Sequence, residues 1–421
     1  MQLNTVCLPV KRQGGIPVEV LLARKKTGFG LGKIVGIGGK VEPGETVLQA
    51  AVRETEEELS IQVRERDLQQ AARITFRFPA KPEWDRIVYV YLVDRWQGEP
   101  QPSREVDPFW SPVSEIPYDQ MWADSKEWLP LVLTGERIVA RFNYGEDNET
   151  LTFRKIKQDK DFLWPQLIGL PYFRALLRAV EANQYLDLDL PNPILDMGSG
   201  DGHFASVSFD FKIDVGLDPW WEPLLESKRY PQAYDGLVQA FGAEMPFLDE
   251  HFASALSNSV LEHIPQLDEV LAETARVLRP GAPFIFCCPN DDYYRMLSVP
   301  GWLRKLGLNG LAQRYTDWFM KISRTHHADP PDVWQARLEK AGFTLERWWH
   351  YFPPASLHVL EWGHYFGAPS LLPKLLFDRW ILAPARWNLG ITERLLRPFA
   401  GTTPHPEGTY TFYIAVRKNS A

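Results

Sequence analysis

Glu54, Glu57 and Glu58 stand at i, i+3 and i+4, a spacing that puts three carboxylates on one face of a helix. Like charges so placed repel one another unless a cation lies between them. Oxygen-only ligands suit Mg²⁺ or Mn²⁺, and such ions neutralise a diphosphate and activate water. The helix carrying them has Thr46 as N-cap and Gln49 three residues on, a capping box. Leu48, Val52, Thr55 and Leu59 form a separate apolar stripe. Ahead of the helix, glycines at 28, 30, 32, 36, 38, 39 and 44 fall within 17 residues, a loop that lets backbone approach a ligand. Taken alone, the glutamates also fit a solvated acidic face.

A second set of residues suits a nucleoside. PILDMGSGDGHF (193–204) is an apolar strand ending at Asp196, followed by Gly198, Gly200 and Gly202. Asp218 lies 22 residues after Asp196, at the end of IDVGLD. Glycines at such a turn admit a nucleotide, and the second acid accepts from ribose hydroxyls. A dinucleotide oxidoreductase uses a related arrangement.

The elements that must position these groups fall into two patterns. VEVLLARK (18–25), ITFRF (74–78), RIVYVYLVD (86–94) and ETLTFRKI (149–156) read as strands. Pro171 opens a helix through FRALLRAVEA. From Pro191 strands and helices alternate, which predicts a parallel α/β sheet. The expected organisation is a first domain at 1–158, a helix-bearing linker at 159–190 and a second domain at 191–421, with insertions near 290–331 and 352–407.

Composition sets outer bounds. The chain has 421 residues, 45% hydrophobic and 24% charged, which predicts two or three folded domains and excludes a mainly disordered chain. No apolar run reaches the ~18 residues that span a bilayer, and MQLNTVCLPVKRQGG lacks a signal pattern. A cytoplasmic protein is expected. Three cysteines, Cys7, Cys287 and Cys288, make neither a disulfide framework nor a zinc motif. Net charge is −8, but from Arg295 onward 16 Lys/Arg face 9 Asp/Glu. The acidic first 294 residues disfavour stable nucleic-acid binding. All nine histidines lie beyond residue 200, so chemistry in the first domain rests on carboxylates or metal.

The 23-residue run 39–61, from Gly39 through Glu45 and Arg53-Glu54-x-x-Glu57-Glu58, resembles the Nudix box. With GFGxGK, GGKVExGET and EVDPFWSPVSEIPYDQMWADSKEWLP (105–130), the resemblance extends over residues 3–156, to MutT-like oxidized-purine nucleoside triphosphatases. It implies an α/β/α sandwich. It also implies metal binding by the backbone of Gly38 and by Glu54, Glu57, Glu58 and Glu105, with Arg53 holding Glu45. Lys25, Phe29, Val35, Trp122 and Asp124 would line the substrate site, Trp122 stacking on the base and Asp124 bonding to its edge. The chain departs from that family at Val35 (asparagine there), Ser125 (a second aspartate) and Ser60 (glycine at the helix end).

Residues 191–290 and the final strands resemble class I S-adenosylmethionine methyltransferases, which have a Rossmann-like sheet. The match rests on D-x-G-x-G-x-G, GAEMPF (242–247), FASALSNSVLEHI (252–264) and ETARVLRPGAPFIFCCP (273–289). It implies Asp196, Gly198 and Gly200 at the methionine end of the cofactor, with Asp218 at the ribose, Glu244 near the adenine, and Gly202 and Asn258 also at the cofactor. Glu262-His263 would lie beside it, or His263 is a core histidine at the strand end. SNSVLEH lacks the Asn/Asp-Pro-Pro-aromatic run of base N-methylating enzymes, and the likeness is to enzymes acting on quinones, sterols and other lipids.

Eight of the 16 tryptophans lie between Trp302 and Trp387. They fit a packed helical subdomain. Trp with Lys/Arg also fits a helix lying on a membrane, and LLPKLLFDRWILAPARW (371–387) is the segment for such peripheral contact. His326-His327 lines the substrate pocket or forms a helix-entry turn. The sequence as a whole predicts a bifunctional enzyme: Nudix hydrolysis of a nucleoside triphosphate, and methyl transfer to an apolar or amphipathic acceptor. Another diphosphate-linked substrate, or a half that only senses its nucleotide, are the alternatives.

Overall fold

Gly14 and Gly15, both at positive φ, turn β1 (Gln2–Gln13) back on β2 (Ile16–Lys25) and start an eight-stranded sheet. β3 (Ile34–Val35), β4 (Leu68–Arg77), β5 (Arg86–Val93), β6 (Val106–Pro112), β7 (Ile138–Tyr144) and β8 (Leu151–Gln158) complete it. The order is β3-β2-β1-β5-β4-β7-β8, and β6 also pairs with β2. The computed structural model describes residues 1–367 and 370–419. It divides into two units, residues 1–160 and 161–421.

In the first unit strand alternation sends side chains to opposite faces. Cys7, Tyr89, Tyr91 and Val93 meet Val47 and Ala51 of α1 (Val47–Leu59). Leu8, Val20, Leu22, Val88 and Val90 meet Trp128, Leu129 and Val132 of α2 (Ser125–Leu133). Each sheet face is therefore closed by a helix, giving an α/β/α sandwich. The inward face of α1 differs from the expected stripe. Val47, Ala50, Ala51, Thr55, Glu58 and Leu59 are buried, whereas Leu48 and Val52 are only half-buried.

The second unit is a seven-stranded sheet of order β11-β10-β9-β12-β13-β15-β14. Its strands are β9 (Ile194–Met197), β10 (Ile213–Asp218), β11 (Tyr234–Gln239), β12 (Ser254–Asn258), β13 (Pro283–Pro289), β14 (Phe343–Tyr351) and β15 (Tyr410–Arg417). All pairs are parallel except those of β15. Central β9 is flanked by β10 on one side and β12 on the other. That reversal leaves a crevice at the strands' carboxyl ends, where open α/β sheets bind ligands.

α3 (Leu163–Leu167) and α4 (Tyr172–Gln184) belong to this unit. The helix read as part of a linker is thus packed into the sheet domain, with Ala175, Leu176, Val180 and Glu181 buried. α5 (His203–Ser208), α6 (Trp221–Ser227) and α7 (Leu267–Val277) follow β9, β10 and β12. Residues 290–331 carry α8 (Asp292–Arg295), α9 (Ser298–Lys305) and α10 (Asn309–Ser323). After α11 (Pro331–Lys340), residues 352–407 carry α12 (Pro354–Phe366), α13 (Leu371–Phe377) and α14 (Arg386–Leu396).

These insertion helices are only partly a packed subdomain. Phe319 and Leu357 are fully buried, but Leu375, Trp387, Ile391 and Leu395 are largely exposed. No helix among the described residues is long and apolar enough to cross a membrane.

Candidate active sites

The capping box fixes the phase of α1. Thr46 Oγ1 accepts from Gln49 N at 3.1 Å, and Gln49 Oε1 accepts from Thr46 N at 2.8 Å. Glu58 then points inward, accepting from Gly38 N at 2.9 Å and from Lys25 Nζ at 2.7 Å. Lys25 Nζ also donates to Glu105 Oε2 at 2.9 Å. Arg53 donates to Glu45 Oε1 and Oε2 at 2.8 and 3.2 Å, to Glu54 Oε1 at 2.9 Å and to Glu57 Oε2 at 3.1 Å. Its Nη2 also donates to Lys40 O at 2.9 Å, tying the glycine loop to the helix.

Burial raises the carboxyl pKa of both Glu54 and Glu58, against Arg53 and Lys25. The other glutamates push the same way: Glu58 and Glu57 on Glu54, Glu105 on Glu58. Among the described residues, no three Asp, Glu, His or Cys groups are gathered to hold a metal as they stand; Arg53 and Lys25 occupy the gaps between them. The donor chemistry still fits a hard divalent cation, because desolvated, mutually repelling carboxylates favour one. The loop fits too. A Cβ on Gly38 would lie 2.0 Å from Thr5 O, and one on Gly39 would lie 2.4 Å from Glu54 Oε1.

Beside this cluster is a cavity of about 980 Å³, open to solvent at its mouth, lined by Asn4, Lys25, Phe29, Val35, Arg86, Trp122, Asp124 and Ser125 among others. Phe29 and Trp122 stack on each other, with centroids 4.8 Å apart and planes 14° from parallel. Phe29 thus covers a ring that the sequence reading reserved for a base. Asp124 is buried, accepting from Trp128 Nε1 at 2.7 Å and from the Tyr144 hydroxyl. Each of its oxygens therefore already has one donor. Burial raises its pKa. Asn4 Oδ1 and Thr5 Oγ1 are buried without a partner.

In the second unit, Gly198, Gly200 and Gly202 all have positive φ, as the turn after β9 requires. Space around Gly200 is open, whereas Cβ atoms at Gly198 and Gly202 would strike Val260 and Ser227. Asp218 accepts from Gly200 N at 3.0 Å and Trp220 N at 2.9 Å. Asp196 accepts from the Tyr234 hydroxyl at 2.5 Å, and burial pushes its carboxyl up to about 7. A cavity of about 930 Å³, open solvent included, is lined by Asp196, Gly198, Gly200 and Asn258, together with Arg174, Arg178, His203, Lys374 and Trp380.

Residues 1–132 match the NUDIX domain, and residues 195–286 match the family described as methyltransferase domain. Over 145 residues the chain is 39% identical to the oxidized purine nucleoside triphosphate hydrolase of Danio rerio, covering 34% of this chain and 90% of that protein. The chain belongs to the Nudix family through its first unit. The Mus musculus hydrolase of the same description is 34% identical over 146 residues, covering 35% of this chain and 91% of that protein. An uncharacterized methyltransferase of Mycobacterium leprae (strain Br4923) is 32% identical over 142 residues, 31% of this chain. The chain spans about half, 52%, of that methyltransferase's length. The polypeptide therefore joins a Nudix hydrolase domain to a methyltransferase domain.

Two expected cofactor residues of the methyltransferase domain differ in their surroundings. Glu244 is exposed in a turn closed on Phe241 O and does not line the cavity. Asn258 lines it, but its Nδ2 donates to Glu181 at 2.7 Å and its Oδ1 accepts from Cys287. His326 N and His327 N both donate to Glu262 O, so that pair folds onto the Glu262-His263 turn. Glu262 is buried, and burial pushes its carboxyl up to about 8. In the Nudix unit, Ser60 keeps the left-handed backbone that a glycine would supply, at φ 59°. Arg86 lines the Nudix cavity although its sequence context, a strand start, gave no such signal. Arg174 and Arg178 sit on the helix read as a linker, which hid them.

Proposed function

We propose that the Nudix unit hydrolyses a nucleoside triphosphate to the monophosphate and pyrophosphate, and that the second unit moves a methyl group from S-adenosyl-L-methionine to an apolar or amphipathic small molecule. The observation that carries the first half is the Arg53-braced carboxylate face beside an open cavity lined by Lys25, Phe29, Trp122 and Asp124. Glu54, Glu57, Glu58, Glu105 and the backbone of Gly38 would hold Mg²⁺ or Mn²⁺, which supplies charge neutralisation and activation of water when bound. Arg53 and Glu45 hold the loop in place. Glu57, exposed and paired with Arg53, would in addition take the proton of the attacking water. Lys25 balances charge at Glu58 and Glu105 and faces the phosphates. Trp122, once Phe29 gives way, stacks on the base, and Asp124 keeps a lone pair on each oxygen for its edge. A purine, oxidized or modified, is the substrate that the relatives' names support.

For the second unit, the glycine turn after β9 and the acid at the end of β10 support a nucleoside cofactor. Asp196 and Gly200 bound its methionine end, and Asp218 its ribose hydroxyls. An amphipathic acceptor is favoured by α14, whose Trp387, Ile391 and Leu395 share one exposed face.

The test is pyrophosphate release from plain, oxidized and methylated nucleoside triphosphates, beside Glu57→Gln and with or without a chelator. Release that needs both metal and Glu57 is expected. Formation of S-adenosylhomocysteine on offering lipid or quinone extracts should survive the chelator. If no triphosphate is cleaved, the substrate assignment fails, and other diphosphate-linked metabolites become the reading.

A further inference from the structure

α9 and α10 form a hairpin that turns at Gly307, a residue of positive φ. One side of the hairpin is fixed to its domain. Ala312 and Phe319 are buried. Glu361 of α12, fully buried, accepts from Ser298 N at 2.6 Å, Val299 N at 3.2 Å and the Tyr315 hydroxyl at 2.9 Å. The other side is apolar and open to solvent. Leu311, Trp318 and Ile322 of α10 are exposed and stand at i, i+7 and i+11, one line along the helix. Trp302 and Leu306, at i and i+4 toward the end of α9, are exposed as well.

Charge decides what covers this face. Residues 302–324 carry Arg304, Lys305, Arg314, Lys321 and Arg324 against one acid, Asp317. Among the described residues none of the five pairs with a carboxylate; the Arg304 guanidinium reaches only a carbonyl, Arg295 O at 2.9 Å. Arg314 and Lys321, at i+3 and i+10 from Leu311, flank the apolar line. The segment expected to lie on a membrane, 371–387, differs in this respect. Two of its three cations are already held, Lys374 by Glu226 and Asp378, and Arg386 by Glu393. A second copy of the chain is a poor occupant for the hairpin face. A two-fold contact sets the same patch against itself, and five unpaired cations would meet five more.

We propose that the α9–α10 hairpin is a docking surface for an anionic lipid bilayer, with Trp302 and Trp318 entering the interface and the five cations meeting its headgroups. Such a surface satisfies both features at once. Indoles settle at headgroup depth. Lys and Arg lay their stems along apolar surface and keep their charge at the phosphates. The far end of α10 runs toward the Glu262 turn: three residues beyond the helix, His326 N donates to Glu262 O at 2.7 Å. The surface is a property of this hairpin and does not depend on the methyl-transfer reading.

The experiment is co-sedimentation of the full chain with phosphatidylcholine vesicles, with and without phosphatidylserine, at low and at raised NaCl. Binding is expected only with phosphatidylserine, and it should weaken as salt rises. The chain's net charge of −8 opposes such binding, so binding reports a local surface. Arg314→Gln with Lys321→Gln should weaken it by about tenfold or more. Trp302→Ser with Trp318→Ser should weaken it at either salt concentration. Each variant is first shown to keep the thermal transition of the original. Arg386→Gln removes an exposed cation that Glu393 already holds, and should leave binding unchanged. No binding to either vesicle, equal binding to both, or full binding by the hairpin variants would overturn the proposal. So would a loss with Arg386→Gln equal to that of the hairpin charge variant, which marks a diffuse effect of charge. A dimer, seen by sedimentation velocity without vesicles and dissociated by the double tryptophan variant, would give the face to a second copy and overturn it too.

Discussion

Arg53 grips Glu45 with two hydrogen bonds while its other terminal nitrogen holds Glu54 and Glu57. One guanidinium thus sets the loop and the helix carboxylates together. The cluster draws on its planar fork, because Glu45 is held through Nε and Nη2 at once. Burial is modest and the pairs are partly solvated, so their contribution to stability is small; the consequence is geometric.

Arg53→Lys should therefore leave folding nearly intact and lower kcat/KM for pyrophosphate release by about 10–100-fold. It should also raise the Mg²⁺ concentration needed for half-maximal rate. The second readout matters, because a brace for the loop alone would lower activity without changing the metal requirement. An unchanged metal titration would sink the carboxylate-positioning role.

Ser60 ends α1 at φ 59° and ψ 26°, with its N–H donating to Glu56 O at 2.8 Å. A left-handed backbone costs an L-residue with a Cβ roughly 1–2 kcal/mol. Ser60→Gly should raise the stability of the Nudix unit by about 1 kcal/mol, less the entropy that glycine adds to the unfolded chain. The melting temperature of that unit should rise by about 2–4 °C. A fall in its transition would show that the Ser60 side chain does more than tolerate the turn.

Glu181, fully buried on α4, accepts from Arg178 at 2.7 Å, Asn258 Nδ2 at 2.7 Å and Ser259 Oγ at 2.6 Å. Replacing it strands a largely buried guanidinium. Glu181→Ala should cost the methyltransferase unit about 3–5 kcal/mol, read as loss of its unfolding transition at lower temperature. Removing both charges, Glu181→Leu with Arg178→Met, should recover most of that loss. Failure of the double variant to recover would mean that Asn258 and Ser259, not the charge, need Glu181.

The α1 machinery was readable because its signals are local. A capping box, an i, i+3, i+4 triad and a glycine loop all lie within 31 residues. Asp196, Gly198, Gly200 and Asp218 were readable because a strand, a tight turn and the next strand end bring them together over short chain distances. Arg86 was not. Its place in the cavity depends on parallel pairing of β1 with β5 and on Phe29 reaching over from a loop some sixty residues earlier. Arg178 was hidden differently: α4 is amphipathic, so periodicity revealed a helix but not the end of β12 that its Arg178 and Glu181 meet. Glu244 was placed by resemblance alone, which fixes a position in a motif and not the direction of a side chain in an exposed turn.

Asp196 gives the second unit a pH signature. Burial, the largest influence, and then the charge of Asp218 push its carboxyl from 3.8 to about 7, against the hydroxyl of Tyr234 and the charge of Arg178. The folded state thus binds this proton more tightly than the unfolded chain does. Between pH 4 and 7 the folded form holds the proton that the unfolded form has released, so stability falls as pH rises through that window. Asp196→Asn cannot release a proton. The stability of the unmodified unit relative to Asp196→Asn should therefore be greatest near pH 4, decline up to about pH 7 and level off above it. Thermal unfolding of both proteins from pH 4 to 8, without nucleotide, reads this directly. Tyr234→Phe removes the donor that favours the ionised form, so its decline should extend beyond pH 7. A difference that stays flat across the range would show that Asp196 is ionised throughout in the folded protein, held by its buried partners.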